Sequence, residues 1–430
     1  MGRLAISTFR SLKVHNYRVW AGGALVSNIG TWMQRTAQDW LVLTQLTHHS
    51  ATAVGIVMGL QFGPQLLLLP WTGYAADHFD RRKLLMCTQA ACAALPLILG
   101  ILTITGLVRL WHVYLFALLF GCVTAFDAPV RQTFVSDLVG EADLSNAVAL
   151  NSTSFNSARM VGPAAAGMLI AAVGTGWAFL INAASFVAVL YSLRSLRVRE
   201  LHTSVRAIRK PGSLLEGFRY VWKRPDLSVI LMMAFLIGTF GLNFPIFIST
   251  MAVTVFHAGA DQYGLLTSMM AGGTVAGSLF AAGRATPRFR LLFAGAAVFG
   301  VGLAVAAFMP NFWLFGLSLI VIGISSLTFM NSTNSMMQLS TEPAMRGRVM
   351  ALRLAVVLGG TPIGAPLVGW VADTFGPRWS LGVGALSGFA AAGVAVWYLV
   401  KHRNLRVWID ARRLRYSIDD DAAHPGLRSS

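Results

Sequence analysis

The chain has 430 residues, 55% of them hydrophobic and only 12% charged, and its mean hydropathy is +0.63. A soluble fold of this length needs a much richer charged shell, so composition excludes a string of soluble domains and points to an all-α polytopic membrane protein. The net charge of +17 does not point to nucleic acid, because the basic residues fall in short segments between apolar runs and form no basic stripe with interleaved aromatics.

The amino terminus, MGRLAISTFRSLKVHNYR, is basic and has no separate short apolar segment with a cleavage site, so no cleaved signal peptide is expected. A bilayer core roughly 30 Å thick takes about 20 residues of helix. Apolar runs of that size begin near Tyr17, Ala51, Leu84, Trp111, Ala147, Trp177, Leu227, Gln262, Leu291, Phe312, Val349 and Trp379, which predicts twelve spans. The three cysteines, Cys87, Cys92 and Cys122, all lie inside these runs. Their odd number and the lack of a CxxC pair argue against a disulfide framework or a metal site.

The connections alternate in charge. Arg3, Arg10, Lys13 and Arg18 precede the first span, and TQLTHHSA after it has no Lys or Arg. Arg81, Arg82 and Lys83 follow, then Arg109 alone, then an uncharged 172–176 and nine basic residues in 194–224. The pattern continues through Arg284, Arg288 and Arg290, the bare Pro310-Asn311, then Arg346 and Arg348, with Arg378 alone before a basic tail. Positive loops stay on the cytoplasmic side, so both termini are expected there.

The longest connection, 194–226, divides the chain into a six-helix amino-terminal half (1–193) and a six-helix carboxy-terminal half (227–400). Within it, SLLEGFRYVWKR places Leu214, Leu215, Phe218, Val221 and Trp222 at helical spacing beside Arg219, Lys223 and Arg224. This reads either as an amphipathic helix on the inner leaflet or as a tether with solvated charges. The halves echo each other: Trp111 matches Trp313, Gly121 matches Gly323, Gly162 matches Gly364 and Gly167 matches Gly369, all at one offset. Duplicated halves would place such glycines at equivalent points of close approach. The polar tail, 401–430, is expected to be a disordered cytoplasmic segment.

One loop concentrates the scarce charge: TGYAADHFDRRK, residues 72–83. Gly73 permits close helix approach, with Gly359, Gly360 and Gly364 on span eleven offering a small-residue face. Asp77 can face a helix amino terminus, and Arg81 and Arg82 can pair with it or with Glu342, near Arg346 and Arg348. Together these would form a cytoplasmic gate, while topology alone accounts for Arg82 and Lys83; His78 reads as a solvated loop residue.

Ionisable residues inside spans are costly. Asp39 with Arg35, and Asp127 with Arg131, stand four apart, each pair on one helix face. Arg159 and Arg353 need a partner from another helix. Burial favours the neutral acid and a guanidinium the carboxylate, so Asp127 or Asp39 is a candidate proton carrier, with Arg131, Arg35 and Arg159 around them; a permanent structural ion pair is the alternative. Asn28, Trp32, Gln34, Gln38, Phe126, Asn151, Asn156, Phe240, Asn243, Asn331, Asn334 and Arg353 are candidate lining of a cavity for an amphiphilic small molecule, and helix–helix hydrogen bonding explains many of them equally well. No phosphate-cradling loop, metal cluster or hydrolase motif appears, so the chain reads as no enzyme, with no cofactor or metal, and draws energy from an ion gradient or a partner.

The pattern Gly73-x-x-x-Asp77-x-x-Asp80-Arg81-Arg82 resembles the loop signature of the major facilitator superfamily. Its form DHFDRR is closer to that of the enterobactin-exporter-like (transmembrane secretion effector) subgroup. NYRVWAGGALVSNIGTWMQRTAQDWLVL, AFDAPVRQTFV, NSARMVGPAAAG, GTFGLNFP and RGRVMALR fit that subgroup too. The resemblance implies the major facilitator fold, two pseudo-symmetric six-helix halves that rock about a central cavity. It also implies a monomeric efflux transporter of the bacterial inner membrane, driven by the proton gradient, for a siderophore, drug or secondary metabolite. Gly162, Pro163 and Gly167 resemble the superfamily's antiporter motif, with alanines in place of several of its glycines. An importer or lipid flippase of the same fold, or a non-transporting membrane sensor, are the alternatives.

Overall fold

The computed structural model describes residues 9–202, 214–282, 289–402, 406–410 and 413–417. Among them helices follow one another across the bundle. Spans one to six run His15–Trp40, Ala51–Leu67 continued by Leu69–His78, Arg81–Ile104, Leu110–Leu138, Glu141–Val173 and Thr175–Arg194. Span seven is broken into Pro225–Leu236 and Phe244–Thr250, each followed by a short π-turn segment. Spans eight to twelve are Ala260–Ala282, Phe289–Ala307, Phe312–Leu339, Arg346–Phe375 and Pro377–His402.

Seven of these stretches are long and apolar enough to cross a bilayer on length and composition alone, and Ala51–Leu67 and Leu291–Ala307 are shorter apolar helices. Spans one and five are more polar. The helices begin up to six residues before the apolar runs do, because a helix continues into the interface; span five starts at Glu141, where Glu141 and Asp143 sit in the first turn and favour the positive helix end. The outer surface carries Leu97, Ile98, Ile101, Val187 and Trp397, all exposed, as a lipid-facing belt requires. Trp111 and Trp313, matched by the internal echo, are both exposed at the first turn of spans four and ten, where interfacial aromatics belong.

The echoed glycines occupy equivalent contacts. A Cβ on Gly121 would strike the Gln61 carbonyl of span two, and one on Gly323 the Met270 carbonyl of span eight. Gly167 abuts Ala260 at the start of span eight, and Gly369 abuts Ala51 at the start of span two. Gly174 and Gly376, with φ of +92° and +100°, turn the chain between spans five and six and between eleven and twelve, a left-handed conformation that side chains resist.

The bundle has a basic end, carrying Arg81–Lys83, Arg194 and Arg346, and a sparse end, where the turns at 47–50 and 174 hold no Lys or Arg. The two halves meet tightly at the sparse end: Gly55 packs on Ala365 and Pro366, and Gly264 on Pro163 and Gly167. At the basic end two described glycines make no such contact. A Cβ on Gly73 would meet nothing within 4 Å, nor would one on Gly347. The small-residue face expected for Gly73 is otherwise engaged: Gly360 and Gly364 press on Thr239 of span seven, and Gly359 meets Leu66.

The linker carries a helix, Leu214–Trp222, with Val221 buried and Leu215, Phe218 and Trp222 exposed. Phe218 and Trp222 stack at 5.6 Å, which gives the helix an apolar outer strip. In the tail, expected to be disordered, Arg406–Asp410 (β1) and Arg413–Ser417 (β2) pair antiparallel; residues 418–430 lie outside the described set.

Candidate functional site

Candidate residues line two of the cavities within the bundle. The first, about 400 Å³, is lined by Asn28, Arg35, Asp127, Arg131, Asn151 and Asn156, with Gln65, Cys92, Gln132 and Phe155. Asp127 is 6% exposed, yet four hydrogen-bond contacts converge on its carboxylate. Thr88 Oγ1 and Gln89 Nε2 on span three each donate to Oδ1 at 2.7 Å. Arg131 donates to Oδ2 through Nε at 3.0 Å, and its second nitrogen lies 2.9 Å away. The four-residue spacing of Asp127 and Arg131 therefore forms the expected pair. Gln89 Oε1 beside it is buried with no hydrogen-bond partner.

The second cavity, about 260 Å³, lies between the halves and is lined by Trp32, Arg35, Asp39 and Gln61 of the first two spans, Arg159 of span five, and Phe244, Tyr263 and Thr361 of the other half. Arg35 and Asp39 have the same spacing as Arg131 and Asp127 but form no ion pair. The Arg35 guanidinium lies over Trp32 at 5.0 Å and Phe62 at 5.7 Å. Asp39 instead accepts a hydrogen bond from Tyr263 Oη at 3.3 Å, across the two halves, where Tyr263 also stacks on Trp40 at 5.8 Å. Arg159, which needs a partner from another helix, lies 5.6 Å from the Trp32 ring centre on span one and has no carboxylate within ion-pair distance among the described residues.

Other candidates serve packing. Asn182 Nδ2 donates to Gln34, a helix–helix bond between spans six and one. Gln38 is buried with its Nε2 unpartnered, and Asn243 donates to the Thr239 carbonyl at 2.8 Å. Arg353 donates to Asn334, the Met330 carbonyl and Thr333 on span ten, at 3.1, 3.1 and 3.3 Å. Gln34, Gln38, Phe126, Phe240, Asn243, Asn331, Asn334 and Arg353 line neither cavity. Gly162 packs on the Trp32 side chain, Pro163 and Gly167 on span eight, so the Gly-Pro stretch seams span five to both neighbours.

The expected gate is arranged differently. Arg81 pairs with Asp137 of span four, Nη1 lying 2.7 and 2.9 Å from the two carboxylate oxygens. Arg82 donates to the Leu193 and Arg194 carbonyls at 2.8 and 3.4 Å rather than to Glu342. Arg348 pairs with Glu216 of the linker helix at 3.0 Å. Arg346 is half-buried with Nε unpartnered, and Glu342 is exposed, its backbone N–H 3.4 Å from Tyr220 Oη. The side chain of Asp77 lies outside the described residues.

A latch that sequence reasoning missed sits at the sparse end. Asp373, near the end of span eleven, accepts from the Ala51 and Thr52 backbone N–H groups at 2.6 and 2.9 Å and from the Ser50 and Thr52 hydroxyls at 3.0 and 2.6 Å. One carboxylate thus caps the amino terminus of a helix in the other half, satisfying orphan donors and the positive dipole end together. The only signal for it in the sequence is an acid near the carboxy end of an apolar run.

A twelve-helix bundle with polar cavities within and between its halves, closed at one end, is the architecture of a secondary transporter. The description "Transmembrane secretion effector" matches residues 6–412, and the chain belongs to that family of major facilitator transporters. It is 26% identical over 356 residues to the Staphyloferrin A transporter of Staphylococcus aureus, covering 81% of this chain and 87% of the relative. It is 27% identical over 381 residues to Enterobactin exporter EntS of Shigella flexneri, covering 87% of each. It is 25% identical over 366 residues to Multidrug efflux pump Tap of Mycolicibacterium fortuitum, covering 82% and 88%. A solved bacterial homologue of the iron transporter ferroportin, in an inward-facing state, shares the fold at a TM-score of 0.69 and 15% identity, over 89% of this chain and 98% of that one. The relatives are membrane transporters, not enzymes.

Proposed function

We propose that the chain is a proton-coupled exporter of small amphiphilic compounds such as siderophores or drugs, working as a monomer in the bacterial inner membrane with both termini in the cytoplasm. The observation that carries this reading is Asp127, a buried carboxylate on the wall of the larger cavity with Arg131, Thr88 and Gln89 gathered on it. Protonation cancels the Asp127 charge and releases Arg131 toward Asn151 and Asn156 on the same cavity wall, so proton and substrate compete for one set of groups. The names of the relatives, transporters and exporters of siderophores and drugs, support the substrate range and the direction.

In this reading the basic end faces the cytoplasm, which the positive-inside rule supports. The described conformation then opens inward, with the sparse end sealed by the Asp373 cap and by the glycine contacts of spans two, five, eight and eleven. Substrate loads from the cytoplasm, the halves rock, and external protons reach Asp127 to complete exchange.

Inverted vesicles holding a preformed proton gradient, challenged with siderophores and lipophilic drugs one at a time, test this with a pH-sensitive dye. Substrate-dependent proton release is expected, and Asp127→Asn should abolish it while leaving substrate binding in place. Release that persists in Asp127→Asn and vanishes in Asp39→Asn would move the coupling role to Asp39. Binding without proton movement in the unmodified protein would sink proton exchange altogether.

A further inference from the structure

The cavity between the halves holds more positive charge than its own acid balances. Arg35 and Arg159 both line it, and their guanidiniums share one indole, at 5.0 and 5.6 Å from the Trp32 ring centre. Among the described residues neither has a carboxylate within ion-pair distance. Arg35 Nε is buried and has no hydrogen-bond partner. The cavity's one lining acid is Asp39, whose Oδ2 is engaged by Tyr263. Asp127, which shares the neighbouring cavity with Arg35, is engaged by Arg131. The rest of the wall is mostly apolar or aromatic, with Phe62, Phe244 and Ile248, and its other polar side chains, Thr36, Gln61, Thr267 and Thr361, are neutral.

Arginine keeps its charge at any pH the protein meets. Two such cations in a low-dielectric site are costly unless an anion meets them, and a guanidinium fork binds a carboxylate through paired hydrogen bonds. Ring stacking covers the faces of the guanidiniums and leaves Arg35 Nε without an acceptor.

We propose that this cavity selects apolar anions, an aromatic carboxylate bridging Arg35 and Arg159 while its rings pack against Phe62, Phe244 and Trp32. The inference rests on the exporter reading above and adds to the Asp127 cavity a second substrate subsite, this cavity between the halves, which shares Arg35 with it and narrows the substrate class by charge.

The test is an equilibrium one, on the full chain in phosphatidylcholine nanodiscs. Three probes of one shape are compared by dialysis: anthracene-9-carboxylate, its carboxamide and 9-anthracenylmethylammonium. The carboxylate is expected to bind about tenfold tighter than the carboxamide, with the ammonium weakest. Arg35→Gln and Arg159→Gln should each remove most of that preference yet still bind the carboxamide, which shows the cavity intact. Arg159→Lys, keeping the charge, should retain part of it. Equal affinity for carboxylate and carboxamide, or a preference that survives both Gln variants, overturns the proposal. So does a carboxylate affinity that collapses in phosphatidylglycerol discs, which would assign the arginines to lipid phosphate. Proton movement plays no part in this equilibrium, so a failure of charge selection and a failure of coupling are separate results.

Discussion

Two pairs with identical spacing end differently, and the difference lies in what each meets across the bundle. Asp127 and Arg131 join where span three also offers Thr88 and Gln89 to the same carboxylate. Arg35 is drawn onto Trp32 and Phe62, and Asp39 onto Tyr263. Spacing along one helix makes neighbours, and only the facing helices decide whether they bond. Asp127, Arg131, Arg35, Arg159 and Trp32 were therefore legible in the sequence, whereas Thr88, Gln89 and Tyr263, ordinary residues in apolar runs, were not. The Tyr263–Asp39 bond crosses the halves, so Tyr263→Phe should destabilise the sparse-end-closed state by about 1 kcal/mol. Spin labels at the sparse-end tips of spans five and eight would read this as a larger open population; an unchanged distance distribution would remove the bond from the closing mechanism.

At the scale of helices, the count and order of the spans could be read from apolar runs and loop charge, because a bilayer imposes both, whereas the start of span five at Glu141 and the break in span seven could not. The echoed glycines were legible as well, since an inverted or duplicated half repeats its backbone contacts. What could not be read was which helix each glycine touches: Gly364 meets Thr239 of span seven, not span two. The Asp373 cap was equally hidden, because its donors are backbone groups 321 to 322 residues away. Losing a capping carboxylate costs about 1 kcal/mol, so Asp373→Ala should shift the balance about fivefold away from the closed sparse end. Gly369→Leu should act more strongly, since the added side chain would strike Ala51 and Thr52 and overpacking costs about 1–3 kcal/mol. Both effects are measurable as accessibility of single cysteines placed near Ser50, and a variant that stays as protected as the parent would contradict the latch.

For the whole molecule, the linker helix docks on the carboxy-terminal half at the basic end. Its Glu216 reaches Arg348 at the start of span eleven, and a Cβ on Gly217 would press on the Arg348 carbonyl. The pair is partly exposed, so its coupling should be no more than about 1 kcal/mol. A double-mutant cycle with Glu216→Arg and Arg348→Glu should show each single change slowing transport and the swap restoring it; additive losses would reduce the contact to proximity. The sequence offered amphipathic spacing here, with a bare tether as the alternative, and the exposed Leu215, Phe218 and Trp222 favour the helix resting on a lipid surface.

The uncompensated guanidiniums of Arg35 and Arg159 also bear on voltage. A cell interior is electrically negative, and moving one elementary charge through the membrane is worth about 2.3 kcal/mol per 100 mV. A proton entering and a monovalent anion leaving both carry positive charge inward, so each such exchange gains about twice that from the potential. Proton-for-anion exchange of the kind proposed is therefore electrogenic, and potassium with valinomycin should drive it in proteoliposomes even when the pH is equal on both sides.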